Sequence, residues 1–220
     1  MSYSGRVHPG GPSQVNELPG LVIRKASVSA MDNNVYLLTC PATGAQLLID
    51  AADDPLRIAR LLDEGTGRLD LVVTTHGHWD HHRALPAVLR RTGAASAVGA
   101  LDADDLPVRP DRLLAHGDTV RVGEVTLDVV HLRGHTPGSV ALAYVEPDGR
   151  AHLFTGDSLF PGGVGNTHDD PAAFASLMED VQHRLFDVYD DRAVVYPGHG
   201  ADTTLGAERP QLPQWWARGW

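Results

Sequence analysis

Short apolar runs alternate along the chain with amphipathic stretches, which predicts β-strands interleaved with α-helices. Gly44 separates two of the early runs in the manner of a hairpin turn. The predicted strands cover residues 21–23, 35–38, 46–49, 69–73, 125–132, 151–154 and 193–195. Strands that alternate with helices in this way are typical of an α/β (α+β) fold.

Three stretches carry apolar residues at helical spacing. The first begins at Asp54 and ends near Gly65, the second covers residues 83–91, and the third covers residues 170–185. An aspartate followed by proline opens the first and the third, which suits a helix N-terminus. The second helix is predicted to begin directly at a histidine cluster, with the positive end of its dipole near that cluster.

The size and charge of the chain limit the classes of function. Its 220 residues can bury the core of one domain, so we expect a single domain over residues 20–220 and a flexible or edge segment over residues 1–19. The formal net charge of −10 argues against a nucleic-acid partner. The sequence has neither a membrane-spanning run nor a signal region, and the lone Cys40 fits the core, so we expect a cytoplasmic protein.

The segment Thr-His-Gly-His-Trp-Asp-His-His over residues 75–82 concentrates four histidines and one aspartate directly after a predicted strand. His76 and His78 are two residues apart, so in an extended segment both point to the same side. Asp80 continues this alternation and His81 begins the next turn, which would let one short segment serve two neighbouring ions. Histidine and aspartate are ligands that zinc prefers, and the joint pattern argues against an ordinary polar loop.

Three further residues of metal-binding type follow later strands. His135 lies in Gly-His-Thr-Pro-Gly-Ser, Asp157 lies in Thr-Gly-Asp, and His199 lies in Pro-Gly-His-Gly. Each follows an apolar run and sits in a glycine-containing turn, where a rigid scaffold presents functional groups. The repeated arrangement predicts one shared site.

The order H-x-H-x-D-H, G-H-T-P-G-S, T-G-D and P-G-H-G resembles the metallo-β-lactamase superfamily, and within it the glyoxalase II-like thioester hydrolases. The resemblance extends from about residue 21 to about residue 209. It implies a four-layer αββα sandwich with the site at one edge. It also implies two metal ions, with His76, His78 and His135 on the first, Asp80, His81 and His199 on the second, and Asp157 bridging both.

The resemblance implies a dinuclear metal-dependent hydrolase that holds two zinc ions, with iron or manganese as alternatives. A metal-bound hydroxide would attack an acyl bond of a small-molecule thioester or ester, and Asp80 would orient this nucleophile as the catalytic residue. Asp50 is expected either to hydrogen-bond near the ligands or to be a simple turn residue. We assign Trp79, Asn166 and His168 as candidate substrate contacts.

Other functions remain open alternatives. A mononuclear iron persulfide dioxygenase would use His76, His135 and Asp157, but such enzymes usually have an arginine where Asn166 stands and lack the P-G-H-G form. A lactone or ester hydrolase is a further alternative. A true β-lactamase is disfavoured, because a cysteine or histidine usually replaces Asp157 there. A metal-bound redox or scaffold protein would need an added domain.

The end of the chain leads to two more expectations. Glyoxalase II proper has an added helical region that helps to bind glutathione, and this chain ends soon after Gly200, which counts against glutathione as the thiol carrier. The tryptophans at 215, 216 and 220 are expected to pack on the domain, with a dimer contact or a lid as alternatives, so we expect a monomer or homodimer. His82 adjoins the ligands but is expected to play no metal role.

Overall fold

The computed structural model describes residues 3–219 and contains two large β-sheets. The first sheet has seven strands in chain order, antiparallel from the first to the fourth and parallel from the fourth to the seventh. Its strands are β1 (Gln14–Leu18), β2 (Leu21–Val28), β3 (Asn33–Thr39), β4 (Gln46–Ile49), β5 (Leu71–Thr74), β6 (Ala95–Gly99) and β7 (Arg112–Leu114).

The second sheet has six strands in the order β15-β14-β11-β10-β9-β8, and a separate two-stranded ribbon pairs β12 with β13. The pair of β11 and β14 is parallel, whereas the other pairs of this sheet are antiparallel. The strands are β8 (Thr119–Val122), β9 (Val125–His131), β10 (Val140–Val145), β11 (Ala151–Gly156), β12 (Leu159–Phe160), β13 (Gly163–Val164), β14 (Val194–Pro197) and β15 (Thr203–Thr204).

Five helices of the described chain cover the outer faces of the sheets, and the first three of them lie in connections between parallel strands. They are α1 (Pro55–Glu64), α2 (Leu85–Thr92), α3 (Pro171–Val181), α4 (Leu205–Glu208) and α5 (Leu212–Arg218). The side chains of Asp54 and Asp170 accept hydrogen bonds from the first-turn N–H groups of α1 and α3, as their positions predicted. A π-helical turn, Gln182–Phe186, extends α3, and α2 begins two residues later than predicted.

Strand β3 shows why the predicted strands are continuous apolar runs. Tyr36 and Leu38 belong to the cluster between the two sheets, whereas Val35 and Leu37 belong to the cluster under α1 and α2. Because successive side chains of a strand point to opposite faces, a strand covered on both sides must be apolar throughout. A third cluster lies between the second sheet and α3. The layers are therefore helix, sheet, sheet, helix, which confirms the predicted αββα sandwich.

The two ends of the described chain pack on the sandwich. Strand β1 is one of the two edge strands of the first sheet, so this part of residues 1–19 lies at a sheet edge. Met1 and Ser2 lie outside the described residues. Trp215 is buried against Phe186, as packing on the domain requires, and Trp216 contacts Phe174. Trp220 also lies outside the described residues. Within residues 3–219, none of the helices has the length and apolar character needed to cross a membrane.

Candidate metal centre

The predicted ligands meet at one edge of the sandwich, where strands of both sheets end. The segment over residues 76–81 follows β5 of the first sheet. His135 lies between β9 and β10, Asp157 directly after β11, and His199 shortly after β14, all in the second sheet. Rigid strands therefore deliver the seven side chains to one place, although they are spread over 124 positions of sequence from His76 to His199.

The first triad consists of His76, His78 and His135, and its ligand atoms lie within 4.8 Å of one another. The Nε2 atom of His76 is 3.1 Å from the Nδ1 atom of His78. The Nδ1 atom of His135 bonds the carbonyl oxygen of Asn166 at 2.8 Å, which turns its Nε2 atom towards the other two rings. That Nε2 atom is buried and has no hydrogen-bond partner among residues 3–219.

The second triad consists of Asp80, His81 and His199. The Nε2 atoms of the two histidines are 3.2 Å apart, and each lies close to Oδ2 of Asp80, at 3.6 Å for His81 and 3.4 Å for His199. The Nδ1 atom of His199 bonds the carbonyl oxygen of Met31 at 2.8 Å. Both imidazoles thus present Nε2 to the same point.

Asp157 lies between the triads. Its Oδ1 atom is 3.5 Å from Nε2 of His81, and its Oδ2 atom is 3.7 Å from Nε2 of His135 and 3.4 Å from Nε2 of His199. One carboxylate therefore faces both groups of ligands. A Cβ on Gly198 would collide with Oδ1 of Asp157, so the loop of His199 can approach this closely only with glycine at 198.

These residues fit a pair of divalent cations. Ligand atoms about 2.0–2.2 Å from a tetrahedral ion lie about 3.3–3.6 Å from each other. The spacing of 3.1 Å between His76 and His78, and the spacings of 3.2–3.7 Å in the second triad and around Asp157, lie close to this geometry. The unpartnered Nε2 atom of His135 is the strongest single indication, because a buried imidazole nitrogen without a partner is costly unless it binds a ligand.

Residues behind the ligands fix their orientation. The buried carboxylate of Asp50 bonds Nδ1 of His81 through Oδ2 at 2.9 Å and accepts from the backbone N–H of Thr75 at 2.7 Å. The amide of the fully buried Asn33 donates to Oδ2 of Asp80 at 3.0 Å. Asp50 thus lies where the hydrogen-bonding role would require. Asn33 was missed by sequence reasoning, because it precedes an apolar strand without any motif that marks it.

The charges of the site differ between the triads. Burial lowers the pKa of all three histidines of the first triad. Burial also acts to lower the pKa of His81 and His199, but the neighbouring carboxylates outweigh it and raise the pKa of His199 to about 10. Burial acts to raise the pKa of Asp157, yet the adjacent imidazoles hold that pKa well below its usual value. The carboxylates therefore draw positive charge to the second triad and its surroundings.

One local prediction about Asp80 is wrong. The extended alternation of His76 and His78 does not continue to Asp80, because Trp79–His81 forms a 3₁₀ turn. His78 is the last extended residue, with φ −68° and ψ 134°. The turn directs Asp80 and His81 together into the second triad. One short segment still serves both triads, but it does so by changing conformation after His78.

The candidate substrate contacts lie at the exposed side of the centre. Trp79 is 53% exposed and stacks under the guanidinium of Arg83, 4.1 Å from its ring centroid. The ring of His168 is 6.2 Å from that of His78. Asn166 contributes its backbone carbonyl to His135, and its side-chain oxygen accepts from the N–H of His168. The substrate role of these residues stays a prediction.

Comparison with known proteins identifies the family. The sequence profile of the metallo-beta-lactamase superfamily matches residues 29–199. A hydroxyacylglutathione hydrolase of Jannaschia sp. (strain CCS1) is 40% identical over 152 residues, which are 69% of this chain and 57% of that protein. The chain thus spans little more than half of that relative's length.

Two solved structures share the fold. The crystal structure of ETHE1 from Myxococcus xanthus has a TM-score of 0.74 at 29% identity and covers 88% of this chain and 84% of that one. TTHA1623, solved in a di-iron-bound form, has a TM-score of 0.68 at 30% identity and covers 84% of this chain and 96% of that one. Motifs, fold and profile match agree that this chain belongs to the metallo-beta-lactamase superfamily.

Proposed function

We propose that the chain is a dinuclear metal-dependent hydrolase that cleaves an acyl thioester. The observation that carries this proposal is the position of Asp157, whose carboxylate lies between the triads, with Oδ2 3.7 Å from Nε2 of His135 and 3.4 Å from Nε2 of His199. A single carboxylate in that position suits two ions side by side. Likeness to a hydroxyacylglutathione hydrolase supports the thioester as the bond that is cleaved.

The proposed ligands form two groups, one for each cation. His76, His78 and His135 would hold one divalent cation, and Asp80, His81 and His199 would hold the other. Two zinc ions suit this set of nitrogen and carboxylate ligands, and iron or manganese are the alternatives. Bound there, the pair would lower the pKa of a coordinated water and polarise the acyl carbonyl.

Asp80 is the residue best suited to accept the proton of the attacking water. Its Oδ2 atom is held by the amide of Asn33 and lies beside both histidines of its triad, so its orientation is fixed before substrate arrives. Hydrolysis adds one water across the C–S bond. The acyl carbon gains the oxygen, and the sulfur leaves with a proton.

The proposed substrate enters beside Trp79 and His168. A cavity of about 200 Å³ lies beside the centre, where Asp80 is the one candidate ligand in its lining, together with Trp79 and Arg83. We propose that this cavity takes a small acyl group rather than a long chain. The indole of Trp79 offers an apolar surface at the rim, and Arg83 adds a cation there, although Asp53 pairs with it at 2.9 Å. A short hydroxyacyl group fits this mixture of apolar and polar contacts.

Metal content and thioester cleavage test the proposal together. Protein purified without chelator is expected to hold two divalent cations per chain and to hydrolyse hydroxyacyl thioesters of glutathione or another thiol faster than lactones or oxygen esters. Removal of the cations with a chelator should abolish turnover, and their return should restore it. A single iron per chain with oxygen uptake on a persulfide would instead establish the dioxygenase alternative.

A further inference from the structure

A fully buried carboxylate, that of Asp102, connects the two loops that carry the first triad. Asp102 lies in the 3₁₀ segment Ala100–Asp105, which follows β6. Its Oδ2 atom accepts from the backbone N–H of Gly77 at 2.8 Å and from the hydroxyl of Thr136 at 2.5 Å. Its Oδ1 atom accepts from the backbone N–H of Gly138 at 2.6 Å. All three donors are uncharged.

Two of the three donors adjoin candidate ligands in the chain, and the third, Gly138, lies in the loop that carries His135. Gly77 lies between His76 and His78, and Thr136 directly follows His135. The first of these loops leaves the seven-stranded sheet and the second lies in the six-stranded sheet. The carboxylate of Asp102 therefore holds together two loops from different sheets at the point where they share one candidate ion.

The glycines of both loops permit this contact. A Cβ on Gly138 would lie 2.5 Å from the backbone nitrogen of Asp102 and 2.6 Å from its Oδ1 atom. A Cβ on Gly77 would lie 2.8 Å from Oδ2 of Asp105. Any other residue at 77 or 138 would push the 3₁₀ segment away from the loops. The glycines within the H-G-H and T-P-G motifs thus have a physical reason in the approach of this segment.

We propose that Asp102 is a positioning residue for the first triad, and that its carboxylate sets the distance between the His76–His78 pair and His135. This inference rests on the metal centre of the proposed function. Without the carboxylate, the N–H groups of Gly77 and Gly138 would lose their acceptor, and the hydroxyl of Thr136 would keep only Oγ of Ser139 as a partner. The loops would then separate to hydrate the two N–H groups. Loss of a residue that orients metal ligands typically lowers metal affinity about 10–100-fold.

Two variants of the full chain test this role, and they differ in how much Zn²⁺ affinity each is expected to lose. Asp102→Asn replaces one acceptor oxygen by an amide NH2 group, which cannot accept from a backbone N–H. Thr136→Val removes one donor and keeps the shape of the side chain. Zn²⁺ affinity is measured against a chromophoric chelator, and the visible absorption of the Co²⁺-loaded protein reports each site. His135→Ala and His199→Ala give the spectra of chains that lack one triad or the other.

The expected result is selective for the first triad. Asp102→Asn should weaken one of two Zn²⁺ ions about 10–100-fold, and the remaining Co²⁺ spectrum should match that of His135→Ala. Thr136→Val should also lower the affinity for this ion, but by a smaller factor than Asp102→Asn does. If Asp102→Asn is poorly folded, Thr136→Val still decides the question, because it leaves the carboxylate in place.

Glu208→Gln is the matched control. Glu208 is 6% exposed and likewise accepts from a glycine N–H, that of Gly162 at 2.9 Å, and from a threonine hydroxyl, that of Thr203 at 2.6 Å. Its loss should lower the melting temperature without changing either Zn²⁺ affinity.

Two outcomes overturn the positioning role while the proposed function stands. One is wild-type affinity for both ions in Asp102→Asn and Thr136→Val, and the other is an equal loss of affinity in Glu208→Gln. A wild-type chain that binds no divalent cation overturns the proposed function and the role of Asp102 with it. A wild-type chain with two ions and an unaffected Asp102→Asn variant overturns the role of Asp102 alone.

Discussion

The two triads have the same plan but are held in different ways. Each takes two ligands from residues 76–81 of the first sheet and a third ligand from a loop of the second sheet. An ion in either triad would therefore connect the two sheets. The first triad contains three imidazoles, whereas the second contains the carboxylate of Asp80.

The loop of the second triad is fixed by many bonds. The backbone N–H of Asn34 donates to the carbonyl of Gly198 at 2.7 Å, and its side-chain amide donates to Pro197 at 2.8 Å and to Gly200 at 3.0 Å. The buried ammonium of Lys25 adds a bond to Gly200 at 2.7 Å. The loop of the first triad relies on one carboxylate, that of Asp102, for three bonds. Other bonds also hold the first half, because the N–H of Val140 donates to the carbonyl of Thr75 at 2.8 Å and His135 bonds the carbonyl of Asn166. The halves differ in that a single carboxylate makes three of the bonds around the first triad.

The largest effect is expected from the loss of the one carboxylate that the two halves of the centre share. Asp157→Ala deletes the carboxylate that faces both triads, so at least one ion should be lost and turnover should fall by more than the about 10–100-fold typical of losing a supporting residue. The fold should survive, because the three apolar clusters lie away from this side chain. Elemental analysis and circular dichroism provide the measurement. Retention of both ions with full turnover would refute the bridging role.

Removing one ligand from each triad separates the halves. His135→Ala and His199→Ala should each lose one ion of two, because each leaves its triad with two side chains besides Asp157. The Co²⁺ spectra of the two variants should differ, since the first triad has only nitrogen ligands and the second includes an oxygen ligand. Identical spectra would mean that the remaining ion moves between the triads, and the comparison would then fail.

Sequence reasoning predicted candidate ligands that the structure brings together, because each of them follows a strand end within a short motif. His135, Asp157 and His199 meet because the strands that precede them end at the same edge. For the fold, a continuous apolar run is enough to predict a strand that is covered on both faces. The supporting residues were harder to predict. Asp102 bonds groups that are 25, 34 and 36 positions away, and two of these three groups belong to the backbone, so no local pattern marks it. The 3₁₀ turn at Asp80 was also missed, because alternation alone cannot show where an extended segment ends.

A smaller effect is expected from Asp50→Asn, because Asp50 bonds His81 of the second triad directly but reaches His76 of the first triad only through the hydroxyl of Thr75. The new amide nitrogen would face Nδ1 of His81, now 2.9 Å from Oδ2 of Asp50, and would favour the tautomer with hydrogen on Nε2. That tautomer cannot ligate through Nε2, so we expect about 10–100-fold weaker binding of one Zn²⁺ ion. Competition with a chelator measures the Zn²⁺ affinity. Asp70→Asn is the control, since Asp70 bonds Gln46 at the opposite end of β5, and an equal loss there would indicate general destabilisation.

The smallest effect should come from His82→Ala, which tests how the first triad is held. His82 is buried at 6% exposure, and its Nε2 atom lies 3.1 Å from the carbonyl oxygen of Gly77, the residue whose N–H group Asp102 holds. Its loss should lower the free energy of unfolding by about 1 kcal/mol and leave both ions bound, because the bond to Asp102 still fixes this peptide segment. Chemical denaturation and elemental analysis measure the two quantities on the same sample. If an ion is lost instead, the first triad depends on both sides of Gly77, and Asp102 shares its positioning role with His82.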